Sequence, residues 1–225
     1  MTAVPWRPVI RVIPFVTVAV LLATGASAGP NLLTNGSFED TTNFVNQSND
    51  TMDLPVGSTL MPGWTVAGSH YLSWIGPTSP WGLTASNGSY FLDLTGYIAG
   101  PPFSGLTQTI STNPGSAYQL SFDLGSSSLW GLPSAIQASA GSASKLFTST
   151  LTGSNNWEAE TLNFTATGST TVISLIGAVG YNDIGLDNVS VQLGNGPPPS
   201  MPEPASLVLL GFGAAGIVLA RRGRI

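Results

Sequence analysis

Four aromatic side chains of this sequence are placed to meet a sugar. Trp74, Trp81, Tyr97 and Trp130 each stand near stretches rich in Gly, Pro and Ser. A pyranose ring offers an apolar C–H face that stacks on an indole or phenol, while Asn and Asp side chains bond its hydroxyls. Trp64, Tyr118 and Trp157 stand inside strand-like motifs and are expected in the core, with Tyr71 between the two groups. Catalysis has less to work with. His70 is the one histidine, cysteine is absent and no Gly-x-Ser-x-Gly elbow occurs, so a nucleophile would find few activating bases. Glu158 and Glu160 share one face of a strand, and a carboxylate pair is what glycoside hydrolysis uses. The plainer expectation for them is a solvated face opposite Leu162 and Phe164. The chain is expected not to be an enzyme.

Charge narrows the partners. The five arginines, Arg7, Arg11, Arg221, Arg222 and Arg224, all lie in the terminal segments. Between Gly29 and Ser200, ten acidic residues face Lys145 alone, which leaves a net charge of −9. Such a surface repels phosphate backbones and has no cations with which to release counterions, so nucleic acid is excluded as a partner. Acidic charge among many Asn, Ser and Thr residues suits cations and neutral polymers. With no disulfides, the domain depends on its core, and about 170 residues are enough to bury one.

The elements that must position these residues are strands. Ser89–Leu94, Leu106–Ile110, Ala117–Leu124, Ala159–Ala166, Thr171–Ile176 and Leu186–Leu193 alternate apolar and polar residues. That period of two marks half-buried strands. Asn113-Pro114-Gly115 and Ala166-Thr167-Gly168-Ser169 are turns between them. No helical period persists between the ends of the chain, so one antiparallel β-sandwich is expected over residues 29–193. Gly125–Leu146 lacks a clear strand pattern and contains Trp130-Gly131-Leu132-Pro133, which reads as a loop, and the polar insert Thr41–Asp53 is expected to be a mobile lip.

Both termini carry targeting signals. Arg7 and Arg11 precede an apolar run from Val12 to Ala23, followed by Ala26-Ser27-Ala28. This is the layout of a cleavable signal peptide over residues 1–28, with a mature start at Gly29. At the other end, a Gly/Pro-rich linker over residues 194–201 breaks any regular element. A second apolar run, Ala205 to Ala220, then ends in the Arg221, Arg222 and Arg224 cluster. It is expected to form a short transmembrane helix with its arginines cytoplasmic.

Two family resemblances rest on these residues. Pro202-Glu203-Pro204, the apolar run and the terminal arginines over residues 202–225 resemble the PEP-CTERM sorting tail of exopolysaccharide-producing Gram-negative bacteria. The resemblance implies an exosortase-like processing peptidase as partner. It also implies passage through an inner-membrane intermediate to the cell surface, outer envelope or extracellular matrix. Within the domain, Asn31–Glu39, Pro62-Gly63-Trp64-Thr65-Val66, Gly88–Leu94, Pro114–Asp123 and Leu186–Val191 follow one another in order. That succession resembles the choice-of-anchor C proteins and the similar plant cell-wall domains of unknown function. It implies a galactose-binding-like jelly roll, the fold of many carbohydrate-binding modules. By the same resemblance, Glu39 and Asp187 would be the carboxylates of a structural calcium joining the first strand to the last, with oxygens near Ser37 and Asp183 completing the shell. The resulting expectation is a noncatalytic exported protein that binds extracellular polysaccharide. A structural or adhesive surface protein without a sugar site is the alternative, and a weak glycoside hydrolase a remoter one.

Overall fold

The computed structural model describes residues 29–80, 82–96, 101, 103–127, 133–151, 156–180 and 183–194. The signal segment, the sorting segment with its expected membrane helix and most of the linker lie outside these residues, as do Trp81, Tyr97 and Trp130.

Eleven strands run through the described residues: β1 Thr51–Leu54, β2 Thr65–Gly68, β3 Leu72–Ile75, β4 Phe91–Asp93, β5 Ser104–Ser111, β6 Ala117–Ser126, β7 Ala135–Ala140, β8 Ala143–Thr148, β9 Asn156–Thr165, β10 Thr170–Val179 and β11 Gly185–Leu193. They form two antiparallel sheets, one in the order β1-β3-β4-β11-β6-β9 and one in the order β2-β5-β10-β7-β8. The fold is therefore an all-β sandwich. Each long strand buries alternate residues: Tyr118, Leu120, Phe122 and Leu124 of β6 face inward, and so do Thr171, Ile173 and Leu175 of β10. Inward residues of both sheets make one continuous apolar core, as a period of two requires in a two-layer domain.

The first motif, Asn31–Glu39, fastens the chain's two ends together. The Asn31 amide donates to the Val189 carbonyl at 3.1 Å and accepts from the Val191 N–H at 2.9 Å, so this segment lies along β11. Gly36 is required there, because a Cβ would fall 2.0 Å from the Val189 carbonyl oxygen. Phe38 is buried against the Trp64 ring, and the two tryptophan N–H groups bond backbone on this segment: Trp64 to Asn35 and Trp74 to Phe38.

Two expectations change. Gly125–Leu146 is not mainly loop: it carries β7 and most of β8, an antiparallel hairpin that turns at Gly141 with φ near 60°. The inward positions of β7 are Ile136, Ala138 and Ala140, and alanine is too weakly apolar to mark a strand by contrast. The insert Thr41–Asp53 is likewise part of the structure. It ends in β1, it packs Phe44 edge-on against Trp74 and Tyr90, and its Asp50 accepts the Thr78 N–H and hydroxyl.

Candidate carbohydrate-binding face

The outward side of the six-stranded sheet is built row by row from strand register. Gln192, Gln119 and Asn163 stand abreast on β11, β6 and β9, and the next row is Ser190, Ser121 and Thr161. Asp187, Asp123 and Ala159 follow, then Gly185, Gly125 and Trp157. Between the second and third of these rows β11 bulges at Asn188, whose φ is near 51°. The bulge lets Ser190 and Asp187 both face outward. Gln119 donates to Asn163 at 3.1 Å, and the Ser121 and Ser190 hydroxyls are 2.9 Å apart. The result is a strip of amides and hydroxyls on a rigid sheet.

Trp157 closes the strip at one end. A Cβ added to Gly125 or Gly185 would come within 2.8 Å of the Trp157 ring, so the indole lies across two residues that have no side chain. Phe91 meets the ring edge-on at 5.7 Å, Leu83 packs beside it, and its N–H donates to the Thr84 carbonyl at 2.9 Å. The tryptophan is thereby fixed yet only half-buried. The sequence placed it in the core; it belongs instead to a small apolar cluster on the outer face. The signal that could have found it was parity: Trp157 shares a face with Thr161 and Asn163, not with Leu162 and Phe164.

Trp74, expected as an exposed platform, is 0% exposed. β3 sits between β1 and β4, its inward face carries Leu72 and Trp74, and the indole N–H is satisfied by Phe38. Local Gly/Pro/Ser content does not report such burial. Trp81, Tyr97 and Trp130 lie outside the described residues. Trp64 and Tyr118 are core residues as expected. Tyr71 is half-buried with its ring against His70 at 4.3 Å.

Glu158 and Glu160 do not lie opposite Leu162 and Phe164; all four share one face of β9. Glu158 accepts the Thr150 N–H and hydroxyl, and burial followed by the charge of Glu158 raises the pKa of Glu160. This pair turns away from the polar strip.

Glu39 and Asp187, the residues carried over as calcium ligands, both bind one loop. Glu39 Oε1 accepts the Ser89 and Tyr90 N–H groups at 2.8 and 2.7 Å. Asp187 Oδ2 accepts the Ser86 and Asn87 N–H groups at 2.8 and 2.9 Å and the Ser86 hydroxyl at 3.1 Å, while Oδ1 takes the Asn188 N–H at 2.6 Å. The same Ser86 hydroxyl lies 2.7 Å from Asp123 Oδ2, so its one proton is shared between the two facing aspartates. Burial raises the pKa of Asp187 to about 6 against the pull of these donors. Carboxylate oxygens already facing two or three N–H dipoles present little to a cation, so the pair does not fit the core of a calcium shell. No group of three or more His, Cys, Asp or Glu side chains placed for a metal occurs among the described residues.

No curated protein matches the chain. Among solved structures, it is similar to TmCBM61 in complex with β-1,4-galactotriose, with 20% identity over 74% of this chain and 100% of that one and a TM-score of 0.46. It is also similar to the CBM22-1 xylan-binding domain from Paenibacillus barcinonensis Xyn10C, with 14% identity over 77% and 100% of the two chains and a TM-score of 0.42. At residues 202–224 the chain matches the PEP-CTERM protein-sorting motif, which marks it for export and sorting to the cell surface. The model of the protein of unknown function family DUF642 matches residues 31–184, which include β1 to β10, and the chain belongs to that family.

Proposed function

We propose that this is a noncatalytic, exported carbohydrate-binding protein, and that its glycan lies along the outer face of β11, β6 and β9. The observation that carries the proposal is the fixed, half-buried Trp157 at the head of a strip of Ser, Thr, Asn and Gln side chains. An indole held flat supplies the stacking surface, and amides and hydroxyls on neighbouring strands supply paired donors and acceptors for sugar hydroxyls. The absence of strong charge in the two lowest rows suits a neutral polymer. Exosortase-like processing at the Pro202-Glu203-Pro204 tail would deliver this face to extracellular polysaccharide, after an intermediate held in the inner membrane by the segment from Ala205 to Ala220.

Retention of the full chain on a panel of insoluble and soluble polysaccharides tests the reading. At least one glycan is expected to retain the protein, and Asn163→Ala combined with Gln119→Ala to weaken retention several-fold, as losing about 1 kcal/mol of contact does. Trp157→Phe, which keeps an apolar filler over the two glycines, is expected to weaken it further. Full retention by both variants removes this face as the site. Retention by no glycan favours the structural, adhesive reading.

A further inference from the structure

The row of the glycan face next to Trp157 carries a carboxylate that meets solvent. Asp123 lies on β6 two residues before Gly125, the glycine that the Trp157 ring covers. Its side chain therefore leaves the same side of the sheet, about 7 Å along the strand. Phe122 and Leu124 on either side of it point into the core, and Asp123 itself is half-buried. Asp187 stands opposite on β11, but that carboxylate is buried and taken up by the Ser86, Asn87 and Asn188 N–H groups. Of the two facing aspartates, Asp123 is the one a ligand can reach.

Its two oxygens are used differently. The Ser86 hydroxyl lies 2.7 Å from Oδ2, and the Asn188 amide donates to the same oxygen at 3.3 Å. Both contacts fall on Oδ2, so Oδ1 is the oxygen left to meet a ligand. One donor comes from the loop and the other from the bulge of β11, and together they fix the carboxylate in place. An ionised carboxylate accepts hydrogen bonds and donates none. A sugar hydroxyl donating to it makes a charge-assisted bond, roughly twice as strong as one to a neutral group. A uronic acid would bring a second carboxylate to the same place. Lys145, the one lysine or arginine among the described residues, is on β8 of the other sheet, its amine 4.2 Å from the centroid of the Phe147 ring. Like charges with no cation between them repel.

We propose that Asp123 selects the sugar that stacks on Trp157: its open oxygen accepts a ring hydroxyl of a neutral pyranose and excludes a uronate. The inference rests on the glycan face proposed above and names the substrate class of that same site, a neutral polysaccharide with a free hydroxyl beside its stacked ring. The same geometry fixes the effect of an amide. In Asp123→Asn, Ser86 and Asn188 still require an acceptor, so the amide oxygen turns to them and the NH2 group takes the place of Oδ1. The open atom then donates where it had accepted, which suits a carboxylate.

Retention of the full chain in detergent on cellulose, xylan, galactan and dextran, and on polygalacturonate and polyglucuronate, tests this at low ionic strength, where repulsion is least screened. Wild type is expected to be retained on at least one neutral polymer and on neither polyuronate. Asp123→Asn and Asp123→Ala, each confirmed folded by its melting curve, are expected to weaken neutral retention about tenfold, as losing one charge-assisted hydrogen bond does. Asp123→Asn alone is expected to gain retention on a polyuronate. Glu160→Gln removes the same charge from a side chain turned away from the strip and is expected to change neither. An equal polyuronate gain in Glu160→Gln would overturn the proposal by assigning the exclusion to net charge, and wild-type retention on a polyuronate would overturn it outright. So would undiminished neutral retention in both Asp123 variants; if Trp157→Phe still weakens it, the glycan face stands without Asp123. Retention on no polymer removes the glycan face and this inference with it.

Discussion

Asp183 and Asp187 are four residues apart, one just before β11 and one within it, and both are buried, but their carboxyls are shifted for different reasons. Around Asp187 the loop from Ser86 to Asn87 and the bulged Asn188 aim three backbone N–H groups and a hydroxyl at one carboxylate. At Asp183 burial and then the charge of Asp93 push the carboxyl well above the usual carboxylate range. Burial alone therefore does not define what a carboxylate does. Donors make Asp187 a fastening between a surface loop and the sheet, while at Asp183 burial and the charge of Asp93 favour the protonated carboxyl.

The comparison is broken or sharpened first at Asp187. Asp187→Ala removes the carboxylate that accepts three N–H groups, on Ser86, Asn87 and Asn188, and a hydrogen bond to a charged group is worth about 1.5–3 kcal/mol. Part of that loss is offset because a poorly solvated charge disappears. A net destabilisation of about 3–5 kcal/mol is expected in urea melts, and a loss below about 0.5 kcal/mol would show that the donors do not fasten the loop.

A pH profile separates the two aspartates next. Asp187 has a folded pKa of about 6 against an ordinary value of 3.8, so the folded protein binds the proton more tightly than the unfolded chain. Its contribution to stability is fully present below the unfolded value and is lost as pH rises through about 6. A shift of this size corresponds to a decline of about 3 kcal/mol at most. The raised pKa of Asp183 acts in the same direction in chelator. Melts in chelator are expected to weaken from pH 4 to pH 7 and Asp187→Asn to flatten the part near pH 6; a flat wild-type profile would contradict the burial argument.

The smallest effect is expected at Asp183. At pH 7, Asp183→Asn replaces a carboxyl whose charged form burial and the charge of Asp93 disfavour, so stability should change by less than about 1 kcal/mol. A larger loss of stability there would reveal a partner for its carboxylate and end the contrast with Asp187.

The sequence by itself determined the two-residue period, and with it the sandwich: the six runs of alternating residues all became long or central strands. The sorting tail was legible too, because it is a linear signal that needs no folding partner. β7 and β8 were hidden because their inward residues are mostly alanine. Site assignments were less legible. Trp74 and Trp157 are the same residue type in polar neighbourhoods, and only the position of β3 inside the sheet and the glycines under Trp157 decided that one is core and the other half-buried on the outer face. Glu39 and Asp187 were paired as calcium carboxylates, whereas both accept N–H groups of one loop, and apart from that of Asn188 those groups come from residues 50 to 101 positions away. Solvation of a buried charge depends on which distant backbone groups face it, and that is set by tertiary packing and not by the local chain.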